Sequence, residues 1–136
     1  MSNKIRKLLE KFNKLDLPRD QYVIFGSGPL AIRGIREGRD LDVIVYDELF
    51  AELKKRYRHE SEYKDKIVLE GGDIEIFPAR KSYVDKAEEA IEKADAIEGY
   101  RFMNLKDLIR WKNKLSRPKD HRDIEMIKDY LKKYNF

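Results

Sequence analysis

The sequence contains no cysteine. Disulfides, thiol catalysis and zinc–thiolate sites are therefore excluded. Histidine is scarce: there are two, His59 and His121, neither with a partner at metal-ligand spacing, and both read as surface residues. No apolar run approaches the roughly 20 residues that cross a bilayer. The start, Met1-Ser2-Asn3-Lys4, lacks the apolar stretch of a signal peptide. The expectation is a soluble, cytoplasmic protein with no membrane partner.

What is present is charge. Of the 136 residues, 41% are charged and 41% hydrophobic. The charged share is well above the roughly 25% of an ordinary domain. Both signs alternate along the chain, which points to heavily charged helix surfaces around one modest core rather than to a disordered polyelectrolyte. The net charge of +4 is unevenly placed. From Arg101 onward eleven Lys and Arg face five Asp and Glu, so this third carries +6 and the first hundred residues −2. A basic end can be a solvated helix face or can meet RNA or another phosphate-bearing ligand.

Ile5, Leu8, Leu9, Phe12 and Leu15 recur at helical spacing and predict a helix over 3–15, broken around Pro18. Tyr22-Val23-Ile24-Phe25 reads as a buried strand. Gly26-Ser27-Gly28-Pro29 must then turn tightly into a helix that starts at Pro29 and ends near Gly38. Leu41 to Tyr46 is a second strand, and Asp47 caps a helix to about Arg56. Ile67–Leu69 and Asp73–Phe77 are strands around a Gly71-Gly72 hairpin turn. Residues 83–94 predict a helix or helical connector, and 96–103 a weak extended stretch. Leu105, Leu108, Ile109 and Leu115 mark one C-terminal helix; Ile124, Ile127, Leu131 and Tyr134 mark another, with Pro118 in its first turn. The expected fold class is α/β (α+β): a single domain over 1–136, with a small mixed sheet flanked by helices and a helical part over 104–136.

One segment carries chemistry. Gly26, Ser27 and Gly28 lie at a strand-to-helix turn, where glycine lets backbone N–H groups approach an anion and Ser27 adds a hydroxyl donor. Asp40 and Asp42 follow, two residues apart, so alternation puts both carboxylates on one face of a strand. Two such carboxylates repel unless a cation lies between them, and hard oxygen donors suit Mg²⁺. A third carboxylate from a neighbouring strand would complete a two-metal set. Glu75, flanked by Ile74 and Ile76, is the first candidate, and Asp73 the alternative.

Phe25-Gly26-Ser27, Asp40-Leu41-Asp42 and Glu75 together resemble the signature of the nucleotidyltransferase superfamily, which includes the DNA polymerase beta-like enzymes. The likeness covers 21–77. It extends through Asn104–Lys112 and Arg117–Asp123 to small stand-alone members, some linked to toxin–antitoxin and phage-defence pairs. Glu75 stands where most active members carry aspartate. The resemblance implies a nucleotidyltransferase fold and transfer of a nucleotide from a nucleoside triphosphate to an acceptor hydroxyl, releasing pyrophosphate. It also implies two Mg²⁺ ions on Asp40, Asp42 and Glu75, with phosphates on Gly26, Ser27 and Gly28. The acceptor stays open among RNA, protein and small molecule, and a partner protein could supply its recognition. Two other readings compete: a non-catalytic module of a toxin–antitoxin-like pair, and an RNA-binding domain.

Lys112 falls at an inward position of its helix, where an unpaired charge is costly. Asp120 and Asp123 lie on the inner side of the next helix and can answer it. Lys112 then either locks the helix pair or reaches nucleotide phosphates while the aspartates support it. Arg33 and Arg39 flank the cleft in the linear order and read as phosphate ligands or as surface charges. Trp111 reads as packing.

Overall fold

The computed structural model describes residues 2–58 and 63–134; His59 lies outside them. Six strands form one mixed sheet: β1 (Tyr22–Phe25), β2 (Leu41–Val45), β3 (Ile67–Leu69), β4 (Ile74–Pro78), β5 (Asp95–Ile97) and β6 (Tyr100–Phe102). Their order is β3-β4-β2-β1-β6-β5. β1, wholly apolar and buried along its length, occupies an interior position, as a strand covered on both faces must. It runs antiparallel to β2 and parallel to β6, while β2 runs parallel to β4.

The sheet has a core on each face. Tyr22, Ile24, Val43 and Ile76 pack with α1 (Asn3–Asn13) and α3 (Asp47–Arg56) on one side. Val23, Phe25 and Ile44 pack on the other with residues of α4 (Ala87–Glu92), α5 (Leu105–Leu115) and α6 (Pro118–Tyr134). α5 is capped by Asn104, whose side chain accepts from the Asp107 N–H at 2.8 Å. Among the described residues no helix is long and apolar enough to cross a membrane.

Several elements differ from the sequence expectation. α1 ends at Asn13 rather than at 15. α2 covers only Gly28–Ile32 and stops well before Gly38, because Gly34 enters the left-handed region at φ 74°. Asp47 opens α3 as its first helical residue instead of capping it, and its carboxylate accepts from the Arg80 N–H at 3.2 Å. The helix expected over 83–94 shrinks to α4, since Tyr83 and Lys86 both have positive φ. The stretch over 96–103 is a hairpin, β5–β6, that extends the sheet beyond β1.

Gly28 is fixed by packing. A Cβ there would stand 2.6 Å from the Ile24 Cγ2, inside the sheet–helix contact. Gly28→Ala is therefore expected to cost about 2 kcal/mol by forcing Ile24 or α2 aside. Urea denaturation measures it, and an unchanged midpoint would show that the contact relaxes freely.

Candidate functional site

The strand register assembles the acidic group. Asp42 is paired with Phe25 of β1 on one side and with Glu75 of β4 on the other. Its side chain therefore shares a sheet face with both, where β1 ends and the chain turns at Gly26. Gly26 has φ 70°, and a Cβ on it would come within 2.8 Å of Asp42 Oδ2. Glycine is needed there for both reasons. Asp40 precedes β2 by one residue and faces the same way as Asp42. Gly38 plays a matching part for the hydroxyl: a Cβ there would stand 2.4 Å from Ser27 Oγ.

These carboxylates crowd one another. Burial pushes the Asp42 carboxyl up to about 7, with Asp40 and Glu75 adding repulsion and a hydrogen bond with Glu75 favouring the protonated form. Burial, then Glu75, also raises Asp40 above the ordinary carboxylate value. Lys66 lies 3.1 Å from Glu75 Oε1 and offsets part of the charge. Among the described residues no three acidic or imidazole side chains form a ready-made cation cage. The open Asp40–Asp42 pair still suits Mg²⁺, which takes one or two carboxylates and fills its shell with water and phosphate oxygens.

Asp40, Asp42 and Glu75 line one side of a cleft of ≈ 880 Å³, with Gly26 and Ser27 at its base. Arg36, Arg39, Lys112, Arg117, Lys119 and Arg122 also line it. An acidic patch at the start of β2 and β4 thus meets a basic wall built from the α2–β2 loop, α5, the α5–α6 turn and the first turns of α6. Asp123 organises that wall. It accepts a bidentate pair from Arg36 at 2.7 and 2.8 Å, and a bond from Lys112 Nζ at 2.9 Å. Asp120 accepts from the Arg117 backbone N–H at 3.1 Å and its Nε at 2.7 Å, with Lys112 Nζ at 3.7 Å. Both aspartates and Lys112 are buried. Burial raises both carboxyls, but the Arg117 bonds at Asp120 and the Arg36 and Lys112 bonds at Asp123 more than offset it, leaving both below the usual range.

The expected Lys112–Asp120 and Lys112–Asp123 bridges are both present, and Lys112 also borders the cleft. Three expected residues lie elsewhere. Arg33 does not line the cleft: its guanidinium donates to Pro29 O at 2.9 Å and to Asp95 at 2.7 Å, tying α2 to β5. The early end of α2 turns it that way. Gly28 is buried against Ile24, so it supports the turn from behind. Asp73, the alternative to Glu75, sits before β4 and pairs with Lys11 of α1 at 2.5 Å. Sequence reasoning missed Arg36, Arg117, Lys119 and Arg122. The i, i+3 spacing of Lys119 and Arg122 on a predicted helix was a usable signal; Arg36, in an irregular loop, offered none.

The two sets of aspartates act oppositely on stability. Asp42 holds its proton to about pH 7 when folded but only to about pH 4 when unfolded, so folding takes up a proton between those values. Stability from this group falls as pH rises from about 4 to 7. Asp120 and Asp123 are depressed, so their contribution is present above about pH 4 and is lost below it. Without divalent cations, Asp42→Asn is expected to raise Tm by about 5 °C at pH 8 and by little at pH 4.5. An equal shift at both pH values in thermal melts would rule out a buried, repelled carboxylate.

No protein-family model matches the chain, and no curated protein matches it in sequence. Among solved structures, the crystal structure of a "putative nucleotidyltransferase" from Thermotoga maritima matches with TM-score 0.57, covering 96% of this chain and 93% of that one at 14% identity. At that identity the likeness is one of fold. It agrees with what Gly26-Ser27, Asp40-Leu41-Asp42 and Glu75 implied: this chain has the nucleotidyltransferase fold.

Proposed function

We propose that the protein is a Mg²⁺-dependent nucleotidyltransferase that moves a nucleoside monophosphate from a nucleoside triphosphate to an acceptor hydroxyl. The observation that carries this reading is the apposition, across one cleft, of the Asp40–Asp42–Glu75 group and the Arg36–Lys112–Arg117 wall. A metal triphosphate has the complementary form, with a cation at one end of a polyanion.

Asp40 and Asp42, with Glu75 beside them, would hold Mg²⁺. Mg²⁺ there would neutralise phosphate charge and make the acceptor hydroxyl more acidic. The Gly26 backbone and the Ser27 hydroxyl bind phosphate oxygens at the base of the cleft. Arg36, Arg39 and Lys112 balance the charge that gathers on the leaving pyrophosphate. The acceptor oxygen bonds to the α-phosphorus as the bond to the β-phosphate oxygen breaks, and Glu75 takes the acceptor's proton. The protein contributes position and charge, and a cleft that binds the two reactants side by side removes much of the entropic barrier.

Incubation with each α-labelled nucleoside triphosphate and cell extract tests this and names the acceptor class as RNA, protein or small molecule. Wild type is expected to transfer label in Mg²⁺, and Asp42→Asn to reduce transfer by about a hundredfold or more. The same substitution is expected to raise the Tm of the cation-free fold, so a thermal melt of the variant separates loss of transfer from loss of folding. If no triphosphate shifts the melting temperature in millimolar Mg²⁺ and no label moves, the proposal fails.

A further inference from the structure

The carboxylates and cations account for a metal and a triphosphate, but not for the nucleobase. The same cleft has an aromatic side. Phe25 lies 5.8 Å from Phe77 and 5.2 Å from Trp111, both edge-to-face, and all three line it. Tyr83 completes the lining, yet it is 84% exposed, the most exposed large hydrophobic residue described. Phe25, Phe77 and Trp111 pack on one another and are buried or half-buried, whereas Tyr83 is the cleft aromatic that stands almost fully in solvent.

The backbone beneath Tyr83 is held, not loose. Tyr83 has φ 64°, a conformation that a bulky L-residue adopts at a cost and keeps only when its surroundings impose it. Trp111 Nε1 donates to Tyr83 O at 3.2 Å. The neighbouring Ser82 is buried, donating from Oγ to Ala79 O at 3.1 Å and accepting from the Val84 N–H at 3.3 Å. Asp85, two residues on, pairs with Lys114 of α5. A strained turn is thus tethered to α5, and what it displays is one aromatic ring at the mouth of the cleft.

We propose that Tyr83 is the base-stacking platform of this site: the nucleobase of a bound nucleoside triphosphate lies against its ring. The inference rests on the nucleotidyltransferase reading above. It adds the subsite that separates a nucleotide from a bare polyphosphate. Stacking reads a π-face, not a hydrogen-bond pattern, so the subsite accepts all four bases and favours the larger purines.

Trp111, the only tryptophan in the sequence, reports binding by fluorescence from inside the cleft. The full chain is titrated in Mg²⁺ with ATP, CTP and inorganic tripolyphosphate, as wild type and as Tyr83→Phe, Tyr83→Leu and Tyr83→Ala. Wild type is expected to bind ATP more tightly than CTP, and both more tightly than tripolyphosphate. Tyr83→Ala and Tyr83→Leu should weaken ATP binding about tenfold and leave tripolyphosphate within about twofold; Tyr83→Phe should resemble wild type. Leucine keeps the apolar bulk and removes the flat face, so a loss with both leucine and alanine isolates stacking. Equal weakening of ATP and tripolyphosphate, or no weakening of either, overturns the platform while the phosphate site stands. If wild type binds neither ATP nor tripolyphosphate, the metal–triphosphate reading fails and this inference with it.

Discussion

Negative charge at the end of β2 is the constraint around which the rest of the cleft is arranged. Asp42 is taken out of water between Phe25 and Glu75, with Asp40 two residues away. Among the described residues only Lys66 offsets it, and in part, so its carboxyl holds a proton to about 7. Repulsion of this kind opposes folding, so its place in the wall of an open cleft, and not in a sealed core, has a physical sense. A cation can reach it, and a bound cation would convert the repulsion into attraction.

The opposite wall contains the same residue type in the opposite electrostatic state. Asp120 and Asp123 are more deeply buried than Asp42, yet each is surrounded by donors. Asp123 accepts from two cations on two different elements, and Asp120 accepts a side chain and a backbone N–H at the start of α6. These bonds fix the angle between α5 and α6 and bring Arg36 from a loop that has no regular structure of its own. Buried aspartate can therefore be a source of stability or a cost to it. What decides is whether donors converge on the carboxylate or other carboxylates do.

The aromatic side of the cleft has a third logic. Val23 and Phe77 flank Ile44 on the face where, two residues back along β2, Phe25 and Glu75 flank Asp42, so one sheet face passes from apolar to charged along its length. Trp111 covers the apolar part from α5, and its indole N–H holds the strained turn at Tyr83. Lys112, the next residue, passes 5.5 Å from the same ring on its way to Asp123. A single turn of α5 thus anchors both the ionic and the aromatic sides of the site.

Much of this was legible along the chain. Alternation alone put Asp40 and Asp42 on one face, and helical spacing alone put Lys112 inward with Asp120 and Asp123 opposite it. Both follow from local periodicity, which sequence carries directly. The sequence likewise determined the β1 strand, the turn at Gly26, the C-terminal helix pair and the resemblance that implied the fold. The tertiary structure alone decided that Arg33 turns away to Asp95 while Arg36 enters the cleft, for both lie in a loop whose path is set by distant partners. It alone showed that Gly28 is spared a side chain for Ile24 and that Gly38 leaves room for Ser27. It alone carried Tyr83 to the cleft mouth. Periodicity specifies which way a side chain faces within one helix or strand; which elements it then meets depends on the non-local pairing of strands and the packing of helices across them.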